Sequence, residues 1–287
     1  MLQRMLAART WWVVPVAGVG CGALVAARDG WIAAAACAVL AAAVAATVRS
    51  FGGASVGVAA AAASAAVLAT AIVLVGGNVS ARDAVAAACG MFVVAELARP
   101  QAVDSSPWPA LGGAWLASAL APAFVALIPI AGVRWVRGPW PRPRAAIAMP
   151  IAGGVLIAAA LACYALRPSW WAAWSHHAVH RIGLVQYAET LGDALGPAGV
   201  VAAIAGLAIA VRAGRTIAVA IVALAVGAIA NDLMAGTIGA PIAALTAVSA
   251  GVAVARLAAI VRIPSGQPVV SACVGALVVA TPALLLI

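Results

Sequence analysis

Residues 54–76 read ASVGVAAAAASAAVLATAIVLVG, a run without a charged side chain. A helix needs about 20 mostly apolar residues to cross the hydrocarbon core of a bilayer. This run is long enough, and similar apolar runs follow one another along the chain. The stretch therefore predicts an all-α fold, namely a polytopic integral membrane helical bundle with about ten transmembrane helices.

The composition supports this fold class. The chain has 287 residues, of which 67% are hydrophobic and only 8% are charged, whereas a soluble domain needs far more charge to solvate its surface. The net charge of +9 comes from arginine, since lysine is absent. The arginines stand singly or in pairs between apolar runs, which is typical of the cytoplasmic flanks of membrane helices. A nucleic-acid partner is not expected, because it would need a clustered basic face.

The apolar runs predict ten spans within one transmembrane domain, residues 1–287. They are 11–27, 31–48, 54–76, 84–97, 109–133, 145–166, 197–211, 216–230, 235–257 and 268–287. Residues 1–144 form the N-terminal half and residues 145–287 the C-terminal helices. The short connections predict antiparallel neighbours. The Ala-, Gly-, Val- and Arg-rich composition suggests a GC-rich bacterial genome, so we expect the bacterial cytoplasmic (inner) membrane.

The run 109–133 decides the predicted orientation. Its centre, LAPAF, carries Pro122, which can break a helix. If the run is a re-entrant pair of short helices on the cytoplasmic side, 12 arginines lie inside and 4 outside. If every span crosses once, the numbers are 10 and 6. The positive-inside rule favours the pair, with the N-terminus in the cytoplasm and the C-terminus outside.

The predicted topology also divides the acidic residues between the two faces of the membrane. Five fall at the outer face, namely Asp29, Asp83, Glu189, Asp193 and Asp232, and two fall toward the inside, namely Glu96 and Asp104. Most of them have a structural interpretation. Asp29 can belong to a polar turn, Asp83 can offset a helix macrodipole, and Glu96 can pair with Arg99. Asn231-Asp232 reads as a sharp outward break between two helices, either a capping turn or a group facing a cavity or cation.

Residues 169–183, SWWAAWSHHAVHRIG, hold every histidine of the chain. They predict an outer amphipathic helix over 168–192, with Trp170, Trp171 and Trp174 in the headgroup layer. Its polar side chains, which are His176, His177, His180 and Arg181, are expected to face water, a lipid phosphate or a partner. His176 and His180 are spaced to bind zinc, but a third ligand is lacking and no HExxH glutamate is present, so no metal is assigned.

Four segments carry a resemblance to a known family. They are SARDAVAAACGMFVVAELARP (80–100), WPALGGAWLASALAPAFVALIPIAGVRW (108–135), LGPAGVVAAIAGLAIAVRAGR (195–215) and IGAPIAALTAVSAGVAVARLAA (238–259). They look like an outward acidic helix start, a re-entrant pair, a helix that starts with Leu-Gly-Pro, and a later core helix. In this order they resemble the GT-C-fold membrane glycosyltransferases, in particular bacterial proteins similar to protein O-mannosyltransferases.

The resemblance implies an enzyme that takes a sugar from a polyprenyl-phosphate carrier at the outer face. Such enzymes use an acid just after the first helix as a base, often with help from a divalent metal. That position falls on Asp29, in ARDG, and Asp83 matches the second outward acid. The family also has a long first outer loop, whereas residues 27–31 form a tight turn here.

Two further functions stay open. One is a non-catalytic membrane scaffold or accessory subunit of a larger complex, with lipid and membrane-protein partners. The other is a small-solute or lipid transporter, although the spans lack a chain of buried ionisable groups and a clear inverted repeat. The five cysteines lie inside apolar runs and predict no disulfide framework.

Overall fold

The computed structural model describes residues 12–53, 55–75, 80–99, 108–121, 124–137, 183–235, 238–261 and 266–284. These residues form ten helices and no strand. The helices are α1 (Val13–Asp29), α2 (Trp31–Gly52), α3 (Val56–Val75), α4 (Ala81–Ala98), α5 (Trp108–Leu120), α6 (Leu127–Arg137), α7 (Leu184–Arg212), α8 (Arg215–Ala235), α9 (Ala240–Ile260) and α10 (Gln267–Leu284). The prediction of an all-α fold is confirmed for this part of the chain.

Four helices, α2, α3, α7 and α9, are long and apolar enough to cross a membrane. Shorter apolar stretches lie in α1, α5, α8 and α10. The helices thus have the composition of a membrane protein, as predicted, while ten crossings and a bacterial inner membrane stay predictions. The predicted span 145–166 lies outside the described residues.

The first two helices run antiparallel. Gly18 of α1 lies against Ala38 of α2, whereas Gly22 lies against Ala34, so the numbering falls in one helix as it rises in the other. A single residue, Gly30, connects the two helices, and its φ of 85° lies in the region that glycine adopts without strain. The tight turn predicted at this position is therefore present.

α9 lies at the centre of the bundle, where it contacts α2, α3, α4, α7, α8 and α10. Gly251 permits this close approach. A Cβ atom at Gly251 would lie 2.7 Å from a methyl group of Val48 in α2 and 2.8 Å from the Cβ of Ala65 in α3. Small residues let helix backbones approach closely in membrane bundles, and Gly251 lets α2, α3 and α9 pack against one another in this way.

This arrangement sorts the charges to two ends of the bundle. The acidic end holds the helix termini that carry Asp29, Asp83, Glu189, Asp193 and Asp232. The opposite end, here the arginine end, holds those that carry Arg49, Arg99, Arg212, Arg215 and Arg256. Arg28 and Arg82 lie at the acidic end and Glu96 at the arginine end. Which end faces the cytoplasm stays a prediction.

The predicted interruption of the run 109–133 is observed, with α5 of 13 residues and α6 of 11. The hydroxyl of Ser118 links the two arms, since its Oγ lies 2.7 Å from the carbonyl oxygen of Ala114 and 3.0 Å from that of Phe124. The Nε of Arg82 donates to the carbonyl oxygen of Leu120. The end of α5 therefore lies beside the first turn of α4. That the pair is re-entrant stays a prediction.

Two predicted boundaries are wrong. α8 does not break at Asn231-Asp232 but continues to Ala235, because the Asp232 side chain is buried within the bundle instead of lying in a solvated turn. A helix over 168–192 does not run unbroken, since Gly183 has an extended backbone and α7 begins after it. α7 then continues through the predicted span 197–211 with a kink at Gly196, where φ is 64° and ψ is 169°.

Candidate functional site

Tyr187 and Asp232 form a buried polar pair at the acidic end. The hydroxyl of Tyr187 donates to Oδ2 of Asp232 at 2.9 Å. Asp232 has no exposed surface and Tyr187 is only 4% exposed. Gly239, just before α9, contacts Oδ1 of Asp232 so closely that a Cβ atom there would collide with it. The pair thus joins the beginning of α7 to the end of α8 and the beginning of α9.

A buried carboxyl is costly in an apolar interior unless hydrogen bonds satisfy it, and acids inside a membrane protein usually have a function. In this protein the structural role is visible, because Asp232 accepts the Tyr187 hydroxyl at a junction of three helices. The pair also lies next to a cavity, whose lining begins at Ala188, the residue after Tyr187.

The cavity lies between α7, α8 and α9 and has a volume of about 380 Å³. Its walls are aliphatic and include Leu191, Leu195, Ile229 and Leu245. Two hydroxyls also line it, but each donates to its own helix: Thr246 to the Ile242 carbonyl and Ser249 to the Leu245 carbonyl, both at 2.8 Å. The lining therefore offers little to a polar ligand and much to a hydrocarbon chain.

Two contacts hold α7 in place on either side of the cavity. At the acidic end, Tyr187 is joined to Asp232. Toward the arginine end, Gly206 touches the Ser249 carbonyl so closely that no side chain fits there. Between them the kink at Gly196, followed by Pro197, keeps α7 from lying straight along α9. The cavity occupies the space that the kinked helix leaves.

The cavity also opens to the outer surface of the described bundle. Ile204 lines it and yet is 64% exposed, and the neighbouring Val201 is 68% exposed. These side chains face away from the core, as lipid-facing residues do in a membrane. Ile204 therefore gives the cavity access from the side of the described bundle.

Two exposed carboxylates lie near the acidic end of α7. Glu189 and Asp193 are exposed, lie four residues apart on α7, and follow the lining residues Ala188 and Gly192. Like charges at this spacing repel one another along a helix. Because successive residues of a helix point about 100° apart, these two carboxylates lie off the lining face of α7, and the cavity walls are apolar.

The predicted catalytic residue Asp29 is the last residue of α1, directly before Gly30. Its side chain lies outside the described part of the chain. The backbone shows that no loop separates α1 from α2, so the connection offers no segment that could cover a donor or acceptor. The role of Asp29 as a base stays a prediction.

The second predicted acid, Asp83, lies in the first turn of α4. Its backbone NH donates to Oγ of Ser80 at 3.3 Å, which makes Ser80 the N-cap. The carboxylate at this position stabilises the positive end of the helix macrodipole. The structural interpretation of Asp83 is therefore supported, while a catalytic role stays a prediction.

Of the remaining predicted residues, the structure describes the Glu96–Arg99 pair but not the tryptophans, histidines and Arg181 of the predicted amphipathic helix. Glu96 and Arg99 form an ion pair at i and i+3, as predicted. Trp170, Trp171, Trp174, His176, His177, His180 and Arg181 lie outside the described residues. Their assignment to the headgroup layer and its surroundings stays a prediction.

A divalent metal, which the glycosyltransferase resemblance implies, needs several carboxylate, imidazole or thiolate ligands close together. The described part of the chain brings no three His, Cys, Asp or Glu side chains into such a group. Those side chains thus do not assemble a donor set for a metal, and no step of a reaction is assigned to one.

Fold and cavity together define a class: a helical bundle whose apolar helices are long enough to cross a membrane, with an apolar cavity beside a kinked helix. No protein-family model, no curated protein and no solved structure matches the chain. The functional assignment consequently rests on the residues of the chain itself.

The sequence did not single out Tyr187, and it placed Asp232 in a break between two helices, either in a capping turn or facing a cavity or cation. One signal was present: Asp232 follows an unbroken apolar run from Ile217 to Ala230, so a helix that continues past it would bury a carboxyl. A buried carboxyl needs a donor, and Tyr187 is one of only two tyrosines in the chain. Nothing in the sequence predicted the cavity, because its lining residues are of the same types as those found in the other helices.

Proposed function

We propose that this protein is an integral membrane protein that binds the hydrocarbon chain of a lipid in the cavity between α7, α8 and α9. One observation carries the proposal: an apolar space of about 380 Å³ lies between the Tyr187–Asp232 pair and the Gly206–Ser249 contact. Sites for small molecules typically have volumes of roughly 300–1,000 Å³ and apolar walls.

The surroundings of the cavity support a lipid over a soluble ligand. α7 and α9 are both long and apolar enough to cross a membrane, so the cavity lies between two candidate spans. The exposed Ile204 in its wall provides access from the side, where lipid chains are the most abundant apolar groups. An apolar cavity that lacks contacts on one side loses dispersion energy, and a hydrocarbon chain restores it.

Retained lipid tests the proposal. The protein is purified in a mild detergent and its bound lipid is measured by native mass spectrometry. Ala203→Trp fills the cavity from α7, whereas Val222→Trp places the same side chain on an exposed position of α8. We expect the wild type and Val222→Trp to retain a lipid and Ala203→Trp to lose it. Absence of lipid from the wild type would contradict the proposal.

A second candidate is the sugar transfer that the glycosyltransferase resemblance implies, with a polyprenyl-phosphate donor and Asp29 as the base. The observation in its favour is that Asp29 and Asp83 belong to the same end of the bundle. The test is transfer from a polyprenyl-phosphate sugar by the purified protein. Asp29→Asn should abolish it, and Glu96→Gln at the arginine end should not. Full transfer by Asp29→Asn would reject this candidate.

A further inference from the structure

We propose that the lipid in this cavity comes from one leaflet of the membrane, the leaflet at the acidic end of the bundle, and is not passed to the other leaflet. The inference rests on the proposed lipid binding and adds the source of the ligand. It follows from the depth of the cavity along the three helices that line it.

The lining ends near the middle of α9. This helix begins with Ala240 at the acidic end and ends with Ile260 at the arginine end. Its lining residues run from Ile242 to Ser249 and therefore all lie in the half next to the acidic end. At 1.5 Å per residue, Ser249 lies about 14 Å from the start of α9, which is roughly half of the 30 Å hydrocarbon core of a bilayer.

The neighbouring helix α8 gives the same depth, although it runs in the opposite direction. It begins with Arg215 at the arginine end and ends with Ala235 at the acidic end. Its lining residues are Ala225, at its middle, and Ile229, nearer the acidic end. Two helices therefore agree that the cavity begins toward the acidic end and stops at the centre of the bundle.

α7 closes the cavity at this depth. Gly206 touches the Ser249 carbonyl, so the backbones of α7 and α9 leave no space for a chain to pass between them at this level. α7 lines the cavity over more residues, from Ala188 to Leu207, because the kink at Gly196 keeps its first half from lying straight along α9. Leu207 directly follows the contact, so the lining stops at about the same level on all three helices.

The opening to the surface lies on the acidic side of this contact. Ile204 lines the cavity and is exposed, and it precedes Gly206 on α7, which begins at the acidic end. Ile242 and Leu245 on the inner wall are buried, so only a molecule inside the cavity reaches them. This geometry suits a protein that holds a lipid within one leaflet, whereas a transporter must open its site to both sides of the membrane.

Crosslinking in phosphatidylcholine vesicles tests this inference. The protein is reconstituted in both orientations, and a phosphatidylcholine with a diazirine in the middle of one chain is added to the outer leaflet and photolysed. Glu189→Cys marks the orientation, because residue 189 is exposed at the acidic end and a membrane-impermeant biotin maleimide labels it only when that end faces outward. Streptavidin separates the two populations after solubilisation, and protein without the substitution gives the labelling background of the native cysteines.

The two ends of α9 are then compared. Trypsin cuts after Arg256 and so separates the lining residues from the exposed Ile260. We expect copies with the acidic end outward to be crosslinked at Ile242 and Leu245, and copies with the arginine end outward to lose these crosslinks. Ile260 should show the opposite pattern and is the internal control. Ala203→Trp should remove the crosslinks at the two lining residues and keep the crosslink at Ile260.

The outcomes separate this inference from the proposed function. Equal crosslinking of Ile242 and Leu245 in both orientations, or stronger crosslinking from the leaflet at the arginine end, would overturn the source from one leaflet while lipid binding stands. If crosslinks at these two residues are absent in both orientations, or persist in Ala203→Trp, lipid binding fails and this inference fails with it.

Discussion

The two faces of α9 are packed in different ways. Toward α2 and α3, Gly251 brings the backbones so close that Val48 and Ala65 leave no gap. Toward α7, an equally close contact at Gly206 is followed by an open cavity. The apolar window of α9 is 72% buried and that of α7 only 33%. Small residues alone therefore do not close an interface, because a kinked helix can touch its neighbour at one place and leave it at the next.

The largest difference between the two faces is expected when a larger side chain is introduced on each, because the free energy of unfolding should fall on one face and hardly change on the other. Ala65→Leu pushes three carbon atoms against α9 and is expected to destabilise the protein by about 3 kcal/mol. Ala203→Leu adds the same atoms on the cavity side and should change the free energy of unfolding by less than about 0.5 kcal/mol. Thermal unfolding followed by circular dichroism in detergent measures both. Equal losses would show that the faces do not differ.

The contact at Gly206 can be broken by a single methyl group. Gly206→Ala forces α7 away from the Ser249 carbonyl and should cost about 2 kcal/mol. Gly20→Ala is the matched control, since a Cβ atom at Gly20 meets nothing within 4 Å. The control should be neutral or slightly stabilising, because alanine favours a helix more than glycine does. Unfolding in detergent is the measurement, and similar results for the two variants would contradict the proposed close contact.

The other contact of α7 depends on one hydrogen bond. Tyr187→Phe removes one donor to Asp232 and should destabilise the protein by roughly 1–2 kcal/mol, because a buried carboxyl loses a hydrogen bond. Thr190→Val removes an exposed hydroxyl from the same helix and should have little effect. A double-mutant cycle with Asp232→Ala should show that the two changes are not additive. Additive losses would mean that the pair does not interact.

The smallest effect is expected far from α9, at the ion pair of α4. Glu96→Gln should cost no more than about 0.5 kcal/mol, since surface pairs at i and i+3 contribute little. The loss should disappear at high salt, where exposed charges are screened. Unfolding at low and high ionic strength provides the check. A large loss that is insensitive to salt would show that Glu96 belongs to the core.

The sequence was sufficient for the helical class and for the distribution of charge along the chain. The interruption near Pro122 and the Glu96–Arg99 pair follow from local rules, since proline breaks helices and charges one turn apart attract. The sorting of acids and arginines follows from short connections, which make neighbours antiparallel. Each of these features depends on residues that are near one another in the chain.

The candidate site depends on residues that are distant in the chain, and this is why it was not predicted. Tyr187 and Asp232 meet only because α7 and α8 form an antiparallel pair whose ends come together. The local pattern around Asn231-Asp232 is that of a turn, and burial in the bundle overrides it. The cavity follows from a kink at Gly196 whose effect on packing a one-dimensional pattern does not contain.

The kink at Gly196 also has a mechanical consequence. α7 is fixed on either side of it, by Tyr187 near one end and by Gly206 toward the other. A guest that widens the space between these points must change the angle between the two halves of the helix. The half beyond the kink ends at Arg212, so the angle at Gly196 relates the packing around the cavity to the position of the arginine end of α7. In this geometry Gly196 is the point at which the angle between the two halves of α7 is set.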